Sequence, residues 1–198
     1  MRRLLSRLAL GATLTFLLPE VGIAQPALTV KPLAEKMVDS LPTGILYWRI
    51  ENMSSLSAAQ TAAGPFSVAV EAAGKAWLFT LGPTGGSTIG AVFAAEVGPI
   101  PRIEAAKYLL RINDASGPPG SVTAVHSHPG SEAFYVLAGE QSIRGMHGTL
   151  RVKAGDAEPG HGAGMAMQVS STGQSDLHAL VMFVVDADKP FSSPAALP

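Results

Sequence analysis

The chain contains no cysteine. That excludes disulfides, thiolate catalysis and cysteine-ligated metal at once, so any bound metal must be held by histidine, carboxylate, methionine, backbone or water. Charge is sparse as well. Only 15% of the 198 residues are Asp, Glu, Lys or Arg, and the 14 basic and 15 acidic residues leave a formal charge of −1. No basic cluster lies beyond the first seven residues, which argues against a nucleic-acid partner. What is abundant is apolar residues, 47% of the chain, with 21 glycines and 15 prolines. This composition supports one folded domain with a large core and many turns.

The first residues differ in kind from the rest. Arg2, Arg3 and Arg7 precede an apolar run from Leu8 to Leu18, Pro19 breaks it, and Gly22 and Ala24 precede Gln25. This is the order of a secretory signal peptide over 1–24. The apolar run has eleven residues, too few to span a bilayer. The expected mature protein is periplasmic or secreted, with no membrane attachment after cleavage. Removing 1–24 takes away three arginines and Glu20, leaving 11 basic and 14 acidic residues and a formal charge of −3.

Pro32 followed by Leu33, Met37 and Leu41 at four-residue spacing predicts a helix over 32–41. A strand is predicted over 43–52 and a serine-capped helix in SSLSAAQTAA. Short strands separated by Gly, Pro, Asn or Asp then follow near 66–71, 76–81, 88–97, 105–112, 122–128, 132–138, 140–144, 149–153, 165–171 and 177–185. Such spacing indicates a sandwich, jelly roll or barrel. The glycine-rich LGPTGGSTIG (81–90) lacks the Gly-Lys-Ser/Thr ending of a phosphate loop and reads as a hairpin turn.

The chemistry concentrates in GSVTAVHSHPGSEAFYVLAG (120–139). Residues two apart in a strand share a face, so His126 and His128 point the same way. Pro129-Gly130-Ser131 turns the chain and returns Glu132 to them. Two imidazoles and a carboxylate on one face suit non-haem Fe(II), and also Mn, Ni, Co or Zn. The alternative is that both histidines lie on a solvent face and Glu132 belongs to a turn.

The stretch resembles the first motif of the cupin superfamily. Gly120, His126, His128, Glu132 and Gly139 stand at every fixed position, with intervening gaps of five, one, three and six residues. MHGTLRVKAGD resembles the hairpin between the two cupin motifs, and GDAEPGHGAGMAMQVSSTG (155–173) resembles the second motif. The resemblance covers about 105–186. It implies an all-β fold, a conical double-stranded β-barrel or jelly roll, which is placed over 76–190. It says little about 25–75, which is read as a short helical N-terminal extension packing on the barrel, with a tail at 191–198. It also implies one divalent metal (Fe, Mn, Zn, Ni or Cu) on His126, His128 and Glu132. The second motif departs from the family's pattern, because Met167 stands where its fourth ligand, a histidine, belongs.

Three further residues could take that place or line a cavity. His161 follows Pro159-Gly160 in the glycine-rich loop and could swing toward the barrel mouth or carry a proton. His178 lies on the last strand and reaches the cavity only if Leu180 and Met182 do, not if Leu177, Ala179 and Val181 do. Met165 shares a face with Met167 and Val169, as Phe134 does with Glu132 and Val136. Met167 is expected to face the metal from the sheet opposite His126. His147 reads as a solvated turn residue, and Arg144, Arg151 and Lys153 as outward-pointing.

The inferred pocket is apolar around a polar site, with no evident clamp for a phosphate or sugar acid. A small organic ligand or substrate suits it. Two function classes follow: a metal-dependent enzyme of oxygenase, isomerase or lyase type, and a non-catalytic barrel that binds a small ligand or metal. A third, a metal-free structural barrel, could be a homodimer through an exposed sheet edge. The reaction is not legible in the sequence.

Overall fold

The computed structural model describes residues 25–198, so the signal-peptide segment at 1–24 lies outside the described residues. The architecture is three stacked antiparallel β layers, with one short helix. The middle layer contains β1 (Thr29–Val38), β6 (Tyr108–Gly117), β13 (Leu177–Asp186), β8 (Gly130–Ala138) and β11 (Ala157–Glu158), in that order across the sheet. Facing it on one side is the sheet β10 (Gly148–Lys153), β9 (Glu140–Gly145), β12 (Met167–Ser171), β7 (His126–Ser127) and β14 (Ser193–Pro194). These two sheets enclose a barrel interior.

On the other side lies a four-stranded sheet of β3 (Ser67–Ala72), β4 (Lys75–Gly82), β2 (Leu46–Met53) and β5 (Val92–Ile100). The expected division at residue 75 falls inside its β3–β4 hairpin, so this sheet draws strands from both sides of that point. The helix α1 (Leu56–Ala62) starts at Ser55, whose hydroxyl accepts from the Ala58 N–H at 3.1 Å. It is the one helix among the described residues, and the N-terminal extension is otherwise extended chain.

The helix predicted over 32–41 is a strand. β1 pairs along β6, and the alternating residues Ala34, Lys36 and Val38 are half-buried while Leu33 and Met37 are exposed. A four-residue apolar recurrence is also an even spacing, so it fits a strand face as well as a helix stripe. Pro32 is tolerated because β1 is an edge strand whose register shifts between Pro32 and Ala34.

The glycine-rich stretch is not a hairpin turn. β4 and β5 both pair antiparallel with β2 between them, so the connection must run along β2 to begin β5 at its far end. Side chains from β2 hold it there. Arg49 Nη1 donates to the Gly85 carbonyl at 2.9 Å, and the Glu51 carboxylate accepts from the Thr88 N–H and hydroxyl at 2.9 and 2.7 Å. Accordingly the strand predicted over 88–97 begins only at Val92.

The barrel strands sit close to their predicted positions, with two exceptions. Only His126–Ser127 of the predicted 122–128 strand is regular, and Val122 makes isolated bridges to Ala27 and Ser170. The short β11 and β14 were not predicted. Gly139, at φ +74°, turns β8 into β9, and a side chain there would meet the Asp176 carbonyl at 2.7 Å.

Two apolar cores result. Leu110, Ile112, Leu180, Met182 and Val184 of the middle sheet pack against Trp48, Ile50, Trp77 and Phe79 of the four-stranded sheet. On the opposite face of the middle sheet, Ala179, Val181, Phe183 and Val185 enter the barrel with Phe134, Ile143 and Met167. β13 is buried on both faces, as a central strand between two layers must be.

Candidate functional site

Arg111, Asn113, His126, His128 and Glu132 converge on a cavity of about 320 Å³. Its floor is the inner face of the middle sheet, and the pairing register arranges that floor in rows. Phe183 pairs with Arg111 on one side and Glu132 on the other, and Val181 likewise pairs with Asn113 and Phe134. All six side chains line the cavity. His126 and His128 come from the facing sheet and the crossing that follows it, because the chain leaves β7 and enters β8 of the middle sheet through Pro129. The turn therefore switches sheets and sets the histidines opposite Glu132.

Both imidazoles are oriented by backbone carbonyls. His126 Nδ1–H donates to Ala124 O at 2.8 Å, and His128 Nδ1–H donates to Phe191 O at 2.6 Å. A carbonyl can only accept, so each Nδ1 carries the proton and the lone pair of the neutral ring is on Nε2. His128 is buried against Phe183 and Phe191, each with ring centroids 4.8 Å from its own. Burial pushes its pKa down to about 4, so the ring is neutral near pH 7.

Glu132 is 4% exposed, and burial raises its carboxyl to about 8. Its Oε2 lies 3.9 Å from His128 Nε2, too long for a hydrogen bond, and with a neutral His128 the contact is not an ion pair. Close above it runs the 159–164 loop. A side chain at Gly160 would meet Glu132 Cγ and O and the Phe134 ring at 2.8 Å, so only glycine lets the loop lie so near.

The donor set suits a divalent cation chemically: a buried carboxyl with no cationic partner, and two imidazoles whose Nδ1–H groups are tied to carbonyls, as metal-ligating histidines usually are. Among the described residues, however, no group of three or more His, Cys, Asp or Glu is gathered closely enough to hold a metal.

The remaining sequence candidates, apart from Phe134, lie elsewhere. Met167 is fully buried in the barrel core and is not in the sheet opposite His126: β12 and β7 are neighbours, and Met167 is the cross-strand partner of His126. Met165 is half-buried and does not line the cavity. The His161 ring lies against Gly145 in a separate pocket with His147 and Glu158. His178 faces away from the barrel interior, with Nε2 at 2.6 Å from Asp114 Oδ2.

Two features escaped the sequence reading. Arg111 brings a cation into the cavity, stacked at 3.9 Å from its guanidinium carbon to the Phe191 centroid. The tail at 191–198 also builds the site. Phe191 packs on His128 and Phe183, β14 pairs with β7, and Ala195 N–H donates to Val125 O at 3.2 Å.

No family model and no curated protein matches the sequence. Among solved structures, the chain is similar to the DMSP lyase DddQ from Ruegeria pomeroyi, at 25% identity over 43% of each chain with a TM-score of 0.39. It is similar to a cupin-like protein from Thermotoga maritima at 17% identity, over 44% of this chain and 65% of that one, with a TM-score of 0.37. A Klebsiella pneumoniae protein with a double-stranded β-helix domain aligns at 22% identity over 44% of this chain and 75% of its own, with a TM-score of 0.38. The chain thus spans less than half of the lyase and about two thirds of the Thermotoga protein, and each likeness covers less than half of this chain. The two facing five-stranded sheets, crossed by the His-x-His-x3-Glu stretch, make the barrel a double-stranded β-barrel of the cupin type.

Proposed function

We propose that this protein is exported and that its barrel holds one divalent metal through His126, His128 and Glu132, beside a cavity that takes a small organic molecule. The observation that carries the reading is Glu132. A carboxyl buried without a cationic partner is costly to ionise, and a divalent cation offsets that cost directly. Both histidines line the same cavity as Glu132, and with Nδ1 bonded to carbonyls each keeps its lone pair on Nε2. A bound metal would supply Lewis-acid polarisation of a ligand oxygen. The protein's own part is to fix the imidazole tautomers through Ala124 and Phe191, exclude water with Phe183 and Phe191, and keep Glu132 buried.

Metal content separates this reading from a metal-free barrel. Protein reconstituted in turn with Fe, Mn, Ni, Cu and Zn should retain near one equivalent of at least one of them. Retention of none sinks the proposal. Turnover of small molecules with and without metal then separates an enzyme from a binding barrel. The second, non-catalytic reading is favoured by Met167, which fills the fourth-ligand position as a fully buried core residue. Export is supported by the pattern at 1–24 and predicts a mature chain starting near Gln25. Intact Met1–Leu18 on soluble cytoplasmic protein would contradict it.

A further inference from the structure

We propose that the molecule bound in the cavity is a small organic acid, whose carboxylate is held by Arg111 and Asn113 while its apolar body lies over Phe183 and Val181. The inference deepens the small-ligand part of the reading above and does not depend on the metal.

Among the described residues, the cavity lining contains one Lys or Arg side chain, and it is Arg111. Its orientation is fixed on three sides. Nε donates to Asn113 Oδ1 at 2.7 Å, Nη1 pairs with Glu35 Oε1 at 3.0 Å, and the guanidinium plane stacks on Phe191. A guanidinium has five N–H donors. Two are engaged in these contacts, which leaves three, on the two terminal nitrogens. Glu35 is half exposed on the edge strand, so its pairing with Arg111 is a weak, solvent-screened one. Arg111 itself is only 17% exposed, and a carboxylate arriving inside the cavity meets it in a drier setting, where a two-point contact is strong.

Asn113 supplies the second half. It is 1% exposed and lines the same cavity. Because Arg111 Nε can only donate, the acceptor oxygen of Asn113 must face it, and the amide nitrogen is the free donor branch. Arg111 and Asn113 are two apart on β6, so both project from the inner face.

The register sets the ligand's length. Arg111, Phe183 and Glu132 are successive partners across three strands, which at ~4.8 Å per strand places the Arg111 and Glu132 backbones about 10 Å apart. The acid's carboxylate thus sits at the edge remote from Glu132, and Phe183 separates the two carboxyl groups. A single cation with one amide matches a monoanionic carboxylate better than a phosphate dianion.

The test compares acids with their neutral amides, phenylacetate with phenylacetamide and butyrate with butyramide. Affinities are measured by calorimetry on zinc-loaded and on chelator-stripped protein. At least one acid should bind ten-fold or more tightly than its amide in both forms. Arg111→Gln should abolish that preference, and the near-isosteric Asn113→Asp, which puts a carboxylate beside Arg111, should reverse it. Either variant suffices if the other does not fold. Equal binding of acid and amide, no binding of either acid at millimolar concentration, or an acid preference retained in the folded variants overturns the inference. Displacement of the acid by equimolar inorganic phosphate also overturns it. Zinc titration of the same samples reports on the triad separately. A protein that prefers acids but retains no metal refutes the metal reading alone.

Discussion

The two faces of the middle sheet use the same strands for opposite ends. On β6, β13 and β8, the residues Leu110, Ile112, Leu180, Met182 and Ala133 face the four-stranded sheet, and none of them is polar. One position along, Arg111, Asn113, Phe183 and Glu132 face the barrel cavity. The first face is a close-packed interlayer core, where apolar burial supplies the stability. The second carries a cation, an amide and a carboxyl beside the apolar Phe183, Val181 and Phe134. A period of two residues lets one strand serve both, and the second layer allows polar groups to be buried on the inner face without the domain failing.

The largest effect should come from the packed face. Phe79→Ala, at a fully buried ring, is expected to destabilise the protein by about 3–5 kcal/mol in urea unfolding while leaving metal stoichiometry intact in whatever remains folded. If it costs less than 1 kcal/mol by the same measure, to be judged against ~3, the four-stranded sheet is an ornament and not a second core.

On the cavity face the effect should appear in binding. His126→Ala, His128→Ala and Glu132→Ala should each weaken metal binding well beyond tenfold, more than ~1.4 kcal/mol, read by metal titration, with the fold retained. A variant that binds as the parent does would remove its residue from the ligand set.

pH sharpens the same contrast. Glu132 is raised from 4.5 to about 8 in the folded chain, so between those values the folded state holds a proton that the unfolded state has lost. Its contribution is present below pH 4.5 and is lost as pH rises toward 8. His128 is lowered from 6.5 to about 4, so its effect runs the other way: stability is lost as pH falls from 6.5 toward 4. The two oppose each other below pH 6.5. Above it only Glu132 of the two still contributes, and through it metal-free protein should lose up to ~1.4 kcal/mol per pH unit between pH 6.5 and 8. Denaturation across that range should show the slope in the parent and not in Glu132→Gln. A slope of equal size in both would assign it to another group.

The smallest effects belong to Met167. Met167→Leu should cost less than ~1.5 kcal/mol and leave metal affinity nearly unchanged, because volume and polarity are kept. Met167→His places a buried polar ring beside His126, costing about 1–3 kcal/mol in the metal-free protein. Because the two positions are cross-strand partners, it should also tighten Zn or Mn binding about tenfold. Loss of metal binding in Met167→Leu would instead make the thioether a ligand and copper the preferred metal.

Much of the barrel was legible because its signals are local. Turn residues and alternation placed β8, β9, β10 and β13 within a few residues, and the exposed Arg144, Arg151 and Lys153 follow from parity within their own strands. The close spacing of His126, His128 and Glu132 around a short crossing between sheets put them on one cavity, although His128 lies beyond the two-residue strand β7.

Arg111 shows where such reading stops. In LLRINDA alternation sets the apolar Leu110 and Ile112 on one face and Arg111 and Asn113 on the other. Alternation gives the period of a strand but not which side is inside. Here the apolar side packs on a further sheet, and the polar side faces the cavity. β1 is a similar case, because Leu33 and Met37 recur at a spacing that helix and strand share, and only pairing with β6 chooses between them. The sequence by itself determined the β character of the barrel, its turns and the chemistry of its motif, because these depend on residues within a few positions of one another. The tertiary structure decided which face of the middle sheet is the cavity, that Arg111 and the tail's Phe191 complete it, and that Met167 lies beside His126. Each of these depends on register between strands far apart in the chain, and no local pattern encodes it.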